Sequence, residues 1–108
     1  MGQIDNLRTE VVGATINGDG TLVTGVAGRS ILVKSLSLTF ATAAAVTFYS
    51  GPSASGTALS GAFDMQANSS MYEGDHGDVV YRCNPGEDFV LHTGSSSDVE
   101  GYVKYQLL

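Results

Sequence analysis

The sequence predicts an all-β fold, a single β-sandwich of about eight strands preceded by an extended N-terminal arm. Three observations carry this. Short runs rich in β-branched and aromatic residues recur at intervals of about ten residues, among them Ile31-Leu32-Val33, Val46-Thr47-Phe48-Tyr49, Val79-Val80-Tyr81 and Val103-Lys104-Tyr105. Glycine-rich punctuation separates them at Asn17-Gly18-Asp19-Gly20, Ala27-Gly28-Arg29, Gly51-Pro52 and Pro85-Gly86-Glu87. No segment repeats its apolar residues with the helical period.

Residues 1–9 show no clear period and read as the arm, leaving 10–108 as the sandwich domain. The first strand is Val11 to Ile16, and the Asn17–Gly20 turn is expected to close a hairpin onto Leu22 to Val26, because Asn and Gly tolerate positive φ. The third strand, Ser30 to Phe40, changes phase. Ile31 and Val33 hold odd positions, while Leu36, Leu38 and Phe40 hold even ones, so one extra residue near Lys34 is needed to keep a single inward face. A β-bulge supplies such a residue and bends the strand, and bent strands of this length let a chain cross between sheets.

Ala45 to Ser50 follows, with Val46 and Phe48 on one face, and Gly51-Pro52 ends it because proline cannot continue a central ladder. Thr57 to Ser60 and Phe63 to Met65 read as short strands, and Gln66 to Gly77 as a long surface loop. The last third contains Val79 to Cys83, the Asn84–Glu87 turn, Asp88 to Thr93, a Gly-Ser loop and a closing strand from Val99. There Val99, Val103, Tyr105 and Leu107 alternate with Glu100, Tyr102, Lys104 and Gln106, the cleanest period of two in the chain.

Composition excludes several function classes. With 5 Lys and Arg against 11 Asp and Glu, the net charge of −6 repels a phosphate backbone, so no nucleic-acid partner is expected. No window reaches the roughly eighteen apolar residues of a membrane-spanning helix, and the polar stretch after Met1 lacks the apolar core of a signal peptide, so no membrane association or export is expected. Charged residues make up only 15% of the chain, which leaves a surface rich in Ser, Thr and Gly, suited to packing against neighbours.

No enzyme chemistry is legible. His92 alternates outward from Phe89 and Leu91 without a nucleophile beside it, the serines lie in Gly-Ser stretches, and no Gly-x-Ser-x-Gly elbow occurs. Glu73, Asp75, His76 and Asp78 form the one local cluster of ligand types, but their spacing fits neither a calcium loop nor a zinc motif, so no metal and no cofactor is expected. Gly18-Asp19-Gly20-Thr21 is followed by a β-run instead of the helix a phosphate cradle needs. Cys83 falls in phase with Val79 and Tyr81 and reads as a small core hydrophobe. Of the tyrosines, Tyr81 and Tyr105 are in core phase, leaving Tyr49, Tyr72 and Tyr102 as surface anchors.

The order Ile16-Asn17-Gly18-Asp19-Gly20, Val26-Ala27-Gly28-Arg29-Ser30-Ile31-Leu32-Val33, Ala45 to Gly51, Pro85-Gly86-Glu87 and Val99 to Tyr105 resembles the β-sandwich capsid-decoration, or cement, proteins of tailed bacteriophages. Related patterns occur in phage tail and head-fibre proteins. The resemblance implies a jelly-roll-like virion protein that binds the outside of the major capsid protein shell, often as a homotrimer. In that reading Ile4, Leu7 and Arg8 of the arm, with Tyr72 and Tyr102, contact the shell or neighbouring subunits. The alternative left open is a carbohydrate- or receptor-binding module whose site is the loop from Gly61 to Gly77 with the exposed tyrosines Tyr49, Tyr72 and Tyr102.

Overall fold

The computed structural model describes residues 8–52, 56–74, 78–94 and 97–108. Ten strands run through them: β1 (Glu10–Asn17), β2 (Gly20–Val23), β3 (Ile31–Phe40), β4 (Ala44–Ser50), β5 (Thr57–Ala58), β6 (Phe63–Met65), β7 (Ser69–Gly74), β8 (Tyr81–Arg82), β9 (Phe89–His92) and β10 (Asp98–Leu107). They form two antiparallel sheets of five. The first has the order β1-β10-β3-β7, with β8 also on β3, and the second has β2-β9-β4-β5, with β6 also on β4.

The pairing is that of a ribbon folded in half and wound up. β1 meets β10, β2 meets β9, β3 meets β7 and β8, and β4 meets β5 and β6, after which β10 closes onto β3 and β9 onto β4. That is jelly-roll winding. Ten strands thus fill eight positions, because β5 and β6 share one beside β4 and β7 and β8 share one beside β3.

The phase change in β3 is a bulge at Lys34. Along β10, Lys104 lies opposite Ser35 and the next residue, Tyr105, opposite Val33, so Lys34 has no partner there. Ile31, Val33, Leu36, Leu38 and Phe40 consequently all turn inward and are buried. The bulge does not carry β3 across, because all its partners belong to the first sheet.

Between the sheets Phe48 is the centre of an aromatic cluster. It stacks on Phe89 with ring centroids 5.3 Å apart and planes within 8°, and meets Tyr81 at 5.2 Å and Phe63 edge-on at 6.4 Å. Val46, Leu91, Val99 and Val103 complete this layer, each fully buried. Removing such side chains from water contributes about 1.5–3 kcal/mol apiece, the main driving force for a chain of this size.

Several expectations are corrected. Asn17–Gly20 is a corner between sheets and not a hairpin, since β1 pairs β10 and β2 pairs β9. Gly18 supplies the positive φ of 76° that the corner needs. The strand expected over Leu22 to Val26 ends at Val23. Gly25 there passes so close beneath the 84–88 turn that a Cβ would lie 2.6 Å from the Gly86 carbonyl, and its N–H donates to Asp88 Oδ1 at 2.6 Å. Gln66 to Gly74 is not loop alone, because Ser69–Gly74 forms β7 against β3. The strand expected over Val79 to Cys83 shrinks to Tyr81–Arg82, and Val79 is exposed, although Val80 N and Cys83 N still donate to the Val33 and Ile31 carbonyls.

Candidate functional site

The outer face of the first sheet carries the surface tyrosines. Register places Gly13, Tyr102, Ser37 and Tyr72 in one row across β1, β10, β3 and β7. The row toward one end holds Val11, Lys104, Ser35 and Gly74, and the row toward the other holds Thr15, Glu100, Thr39 and Ser70. Lys104 and Glu100 are the charges on these twelve positions, and the middle of the face is built of small residues. It is a low, nearly neutral surface with two phenol rings standing in it.

Both rings have defined seats. Tyr72 is 67% exposed, and its ring leans along β7 over Gly74, where a Cβ would come within 2.7 Å of the Tyr72 hydroxyl. Glycine at position 74 therefore leaves room for the ring to lie down on the sheet. Tyr102 is half-buried, and the Lys104 ammonium lies 5.8 Å from its ring centroid. Where the Thr39 and Glu100 row ends, an open cleft of about 390 Å³ is lined by Thr39, Phe40, Ala41, Asn68, Asp98 and Glu100.

Of the residues singled out from the sequence, Tyr72 and Tyr102 are thus brought together on one face. Arg8 is separate, two residues before β1, with an exposed side chain whose Nε is 3.8 Å from Glu10. Ile4 and Leu7 lie outside the described residues. Tyr49 is half-buried on the second sheet, edge-on to His92 at 6.1 Å, and is not part of the row. The row itself depends on the pairing of β7 with β3, which no local pattern in Ser69–Gly74 announces; Tyr72 and Gly74 at alternate positions on one strand are the trace it leaves in the sequence.

The ionisable groups elsewhere act as struts. The Tyr81 hydroxyl donates to Glu73 Oε1 at 2.7 Å and Oε2 at 2.9 Å, tying β8 to β7; burial and then the Glu73 carboxylate push the phenol well above its ordinary range. Glu73 is thereby taken from the acidic cluster seen in the sequence, in which Asp78 is exposed and Asp75 and His76 lie outside the described residues. Among the described residues no three His, Cys, Asp or Glu side chains come together as metal ligands.

Cys83 is buried, and its thiol is pushed up to about 11, chiefly by burial, with Glu87 and Asp88 adding to the rise against a bond to Ser50 that opposes it. Ser50 is fully buried, donates to Glu87 Oε1 at 2.7 Å and accepts from Asn84 N at 2.9 Å, so its hydroxyl fastens the 84–87 turn. Asp19 accepts from Thr93 N at 2.8 Å and lies 2.7 Å from His92 Nδ1, pinning the β1–β2 corner to the end of β9. Burial alone raises the Asp19 carboxyl, but the Thr93, His92 and Gly94 partners outweigh it and hold the group below its usual 3.8.

The chain matches no protein-family model, no curated protein and no solved structure.

Proposed function

We propose that the protein is a structural virion component that decorates a bacteriophage head, binding the outside of the major capsid shell through the outer face of its first sheet. The observation that carries this reading is the row of Tyr102, Ser37 and Tyr72, flanked by small residues, on a face whose three central rows hold one charge of each sign. Tyrosine supplies contact area at small entropic cost and is enriched where protein surfaces meet. Jelly-roll winding and the resemblance in the Ile16–Gly20, Val26–Val33, Ala45–Gly51, Pro85–Glu87 and Val99–Tyr105 segments fit the same role. A net charge of −6 disfavours adhesion to packaged genome, and many copies on a lattice turn weak single contacts into firm attachment.

The role needs no catalysis. Tyr81 and Cys83 are held in their neutral forms by burial, the opposite of nucleophile activation. Mixing the protein with heads of its source assembled without it, then sedimenting, tests the proposal: saturable pelleting with the heads is expected, and protein that stays in the supernatant refutes it.

A second reading has one observation in its favour. The cleft lined by Asn68, Thr39, Asp98 and Glu100 adjoins the tyrosine row, and an aromatic ring beside amide and carboxylate groups is suited to a saccharide. Binding on a glycan array that is lost in Tyr72→Ala favours this alternative.

A further inference from the structure

The two sheets expose four kinds of edge, and three are guarded. β2 has four residues and a register shift between Thr21 and Val23. β5 and β6 are two and three residues long, and β6 carries Asp64. β7 carries Glu73, and β8 is two residues with Arg82. Short length, bulges and charges are the ordinary protections of an edge that would otherwise recruit another strand.

β1 carries one charge, Glu10, at its first residue. Its eight residues pair with β10 without a shift, and from Val11 to Asn17 it contains no charge and no proline. Val11 is 61% exposed on the outer face, and Val12 and Ile16, turned toward the core, are only partly covered. Among the described residues β10 is the one strand paired with β1, which ends the first sheet on that side.

We infer that β1 pairs antiparallel with β1 of a second copy, about a twofold axis passing through Ala14, joining the two first sheets into one. Register selects the axis. An axis between two residues would set inward side chains against outward ones. An axis at Gly13 would put the Glu10 carboxylate opposite Ile16. With Ala14 on the axis, Val12 lies opposite Ile16 twice and extends the apolar interior, while Gly13 lies opposite Thr15 and Val11 opposite Asn17 on the outer face. The antiparallel sense also directs the exposed Arg8 of each copy toward the other's Asn17–Asp19 corner, where Asp19 and Asp98 supply negative charge. A twofold interface of this kind is closed and self-limiting. It leaves both tyrosine rows exposed, so it stands apart from what that face binds.

Sedimentation velocity at micromolar concentrations gives the mass, expected at twice the 11.2 kDa of one chain. Cross-linking fixes the seam. Gly13→Cys combined with Thr15→Cys puts two opposed thiol pairs across the axis, at the 4.5–5.5 Å Cα separation of facing strands that a disulfide spans. Both positions are exposed, and a Cβ at Gly13 meets no atom within 4 Å, so the fold accepts the changes. Mild oxidation is expected to convert this variant to covalent dimer, while Val11→Cys alone, whose thiol faces Asn17, stays single; buried Cys83 does not interfere. A monomer, a mass of three chains, or a dimer in which the double variant fails to cross-link overturns the inference.

Discussion

Tyr72 on β7 and Tyr102 on β10 stand on either side of Ser37 in one row of the first sheet, although the chain between them passes through β8 and β9 in both sheets. Residues two strands apart are about 10 Å from each other, a span that a single protein loop or strand can cover. The two rings share one face only when β7 is in register, and Gly74 decides how the Tyr72 ring sits. Replacing Gly74 by Val forces that ring upright, because a Cβ would fall within 2.7 Å of its hydroxyl. Binding to the face is expected to weaken about tenfold while the melting temperature stays nearly constant, measured by sedimentation and by circular dichroism.

Gly101 is the tightest point of the sheet that carries this row. Its φ is 152°, and a Cβ would land 1.8 Å from the Ser37 carbonyl oxygen, inside the β10–β3 ladder. Gly101→Ala is expected to cost about 2 kcal/mol or more in urea unfolding, since neither backbone can yield without breaking pairs.

Phe48→Ala removes the ring that Phe89, Tyr81 and Phe63 all touch. A loss of about 3–5 kcal/mol is expected from the cavity and the forfeited transfer energy. For a domain of this size that is a large share of total stability, so the variant should unfold at much lower denaturant or accumulate as insoluble protein.

Asp19 links stability to pH. Its carboxyl is held below 3.8 by Thr93, His92 and Gly94 in the folded chain, so the unfolded chain takes up the proton first. The stabilisation is present in full above the ordinary carboxylate range and is lost as pH falls through the folded value, below 3.8. Thermal melts between neutral pH and pH 2 should therefore show a smaller acid-induced drop for Asp19→Asn than for the parent chain. Equal drops would show that the Asp19 bonds contribute nothing to stability.

Cys83 provides a probe of the closed core. With its thiol pushed up to about 11 by burial, it should resist a thiol reagent at mildly alkaline pH and react at once in urea. Reaction at the same rate in both conditions would mean the core opens readily.

Much of this architecture can be read from residues alone, and the reasons are local. The odd-to-even switch between Val33 and Leu36 marks the bulge at Lys34 because burial of one face leaves no other solution. The alternation from Val99 to Leu107 marks β10 for the same reason. The corner at Asn17–Gly20 was not distinguishable from a hairpin, since both need a positive φ and glycine supplies it in either. β7 was hidden because its inward residues, Ser69, Met71 and Glu73, include only one apolar side chain, and Glu73 turns in to meet Tyr81 across the sheet. The tyrosine row follows from that pairing, so it too became visible only with the register of β7 on β3.

The proposed role requires that this face of the first sheet hold the protein to a capsid shell. The most direct measurement is co-sedimentation with undecorated heads, comparing the parent chain with Tyr72→Ala combined with Tyr102→Ala at matched folding. Saturable binding by the parent is expected, with a loss of at least about tenfold in the double variant. Equal binding by both, or no binding by the parent, would contradict that role.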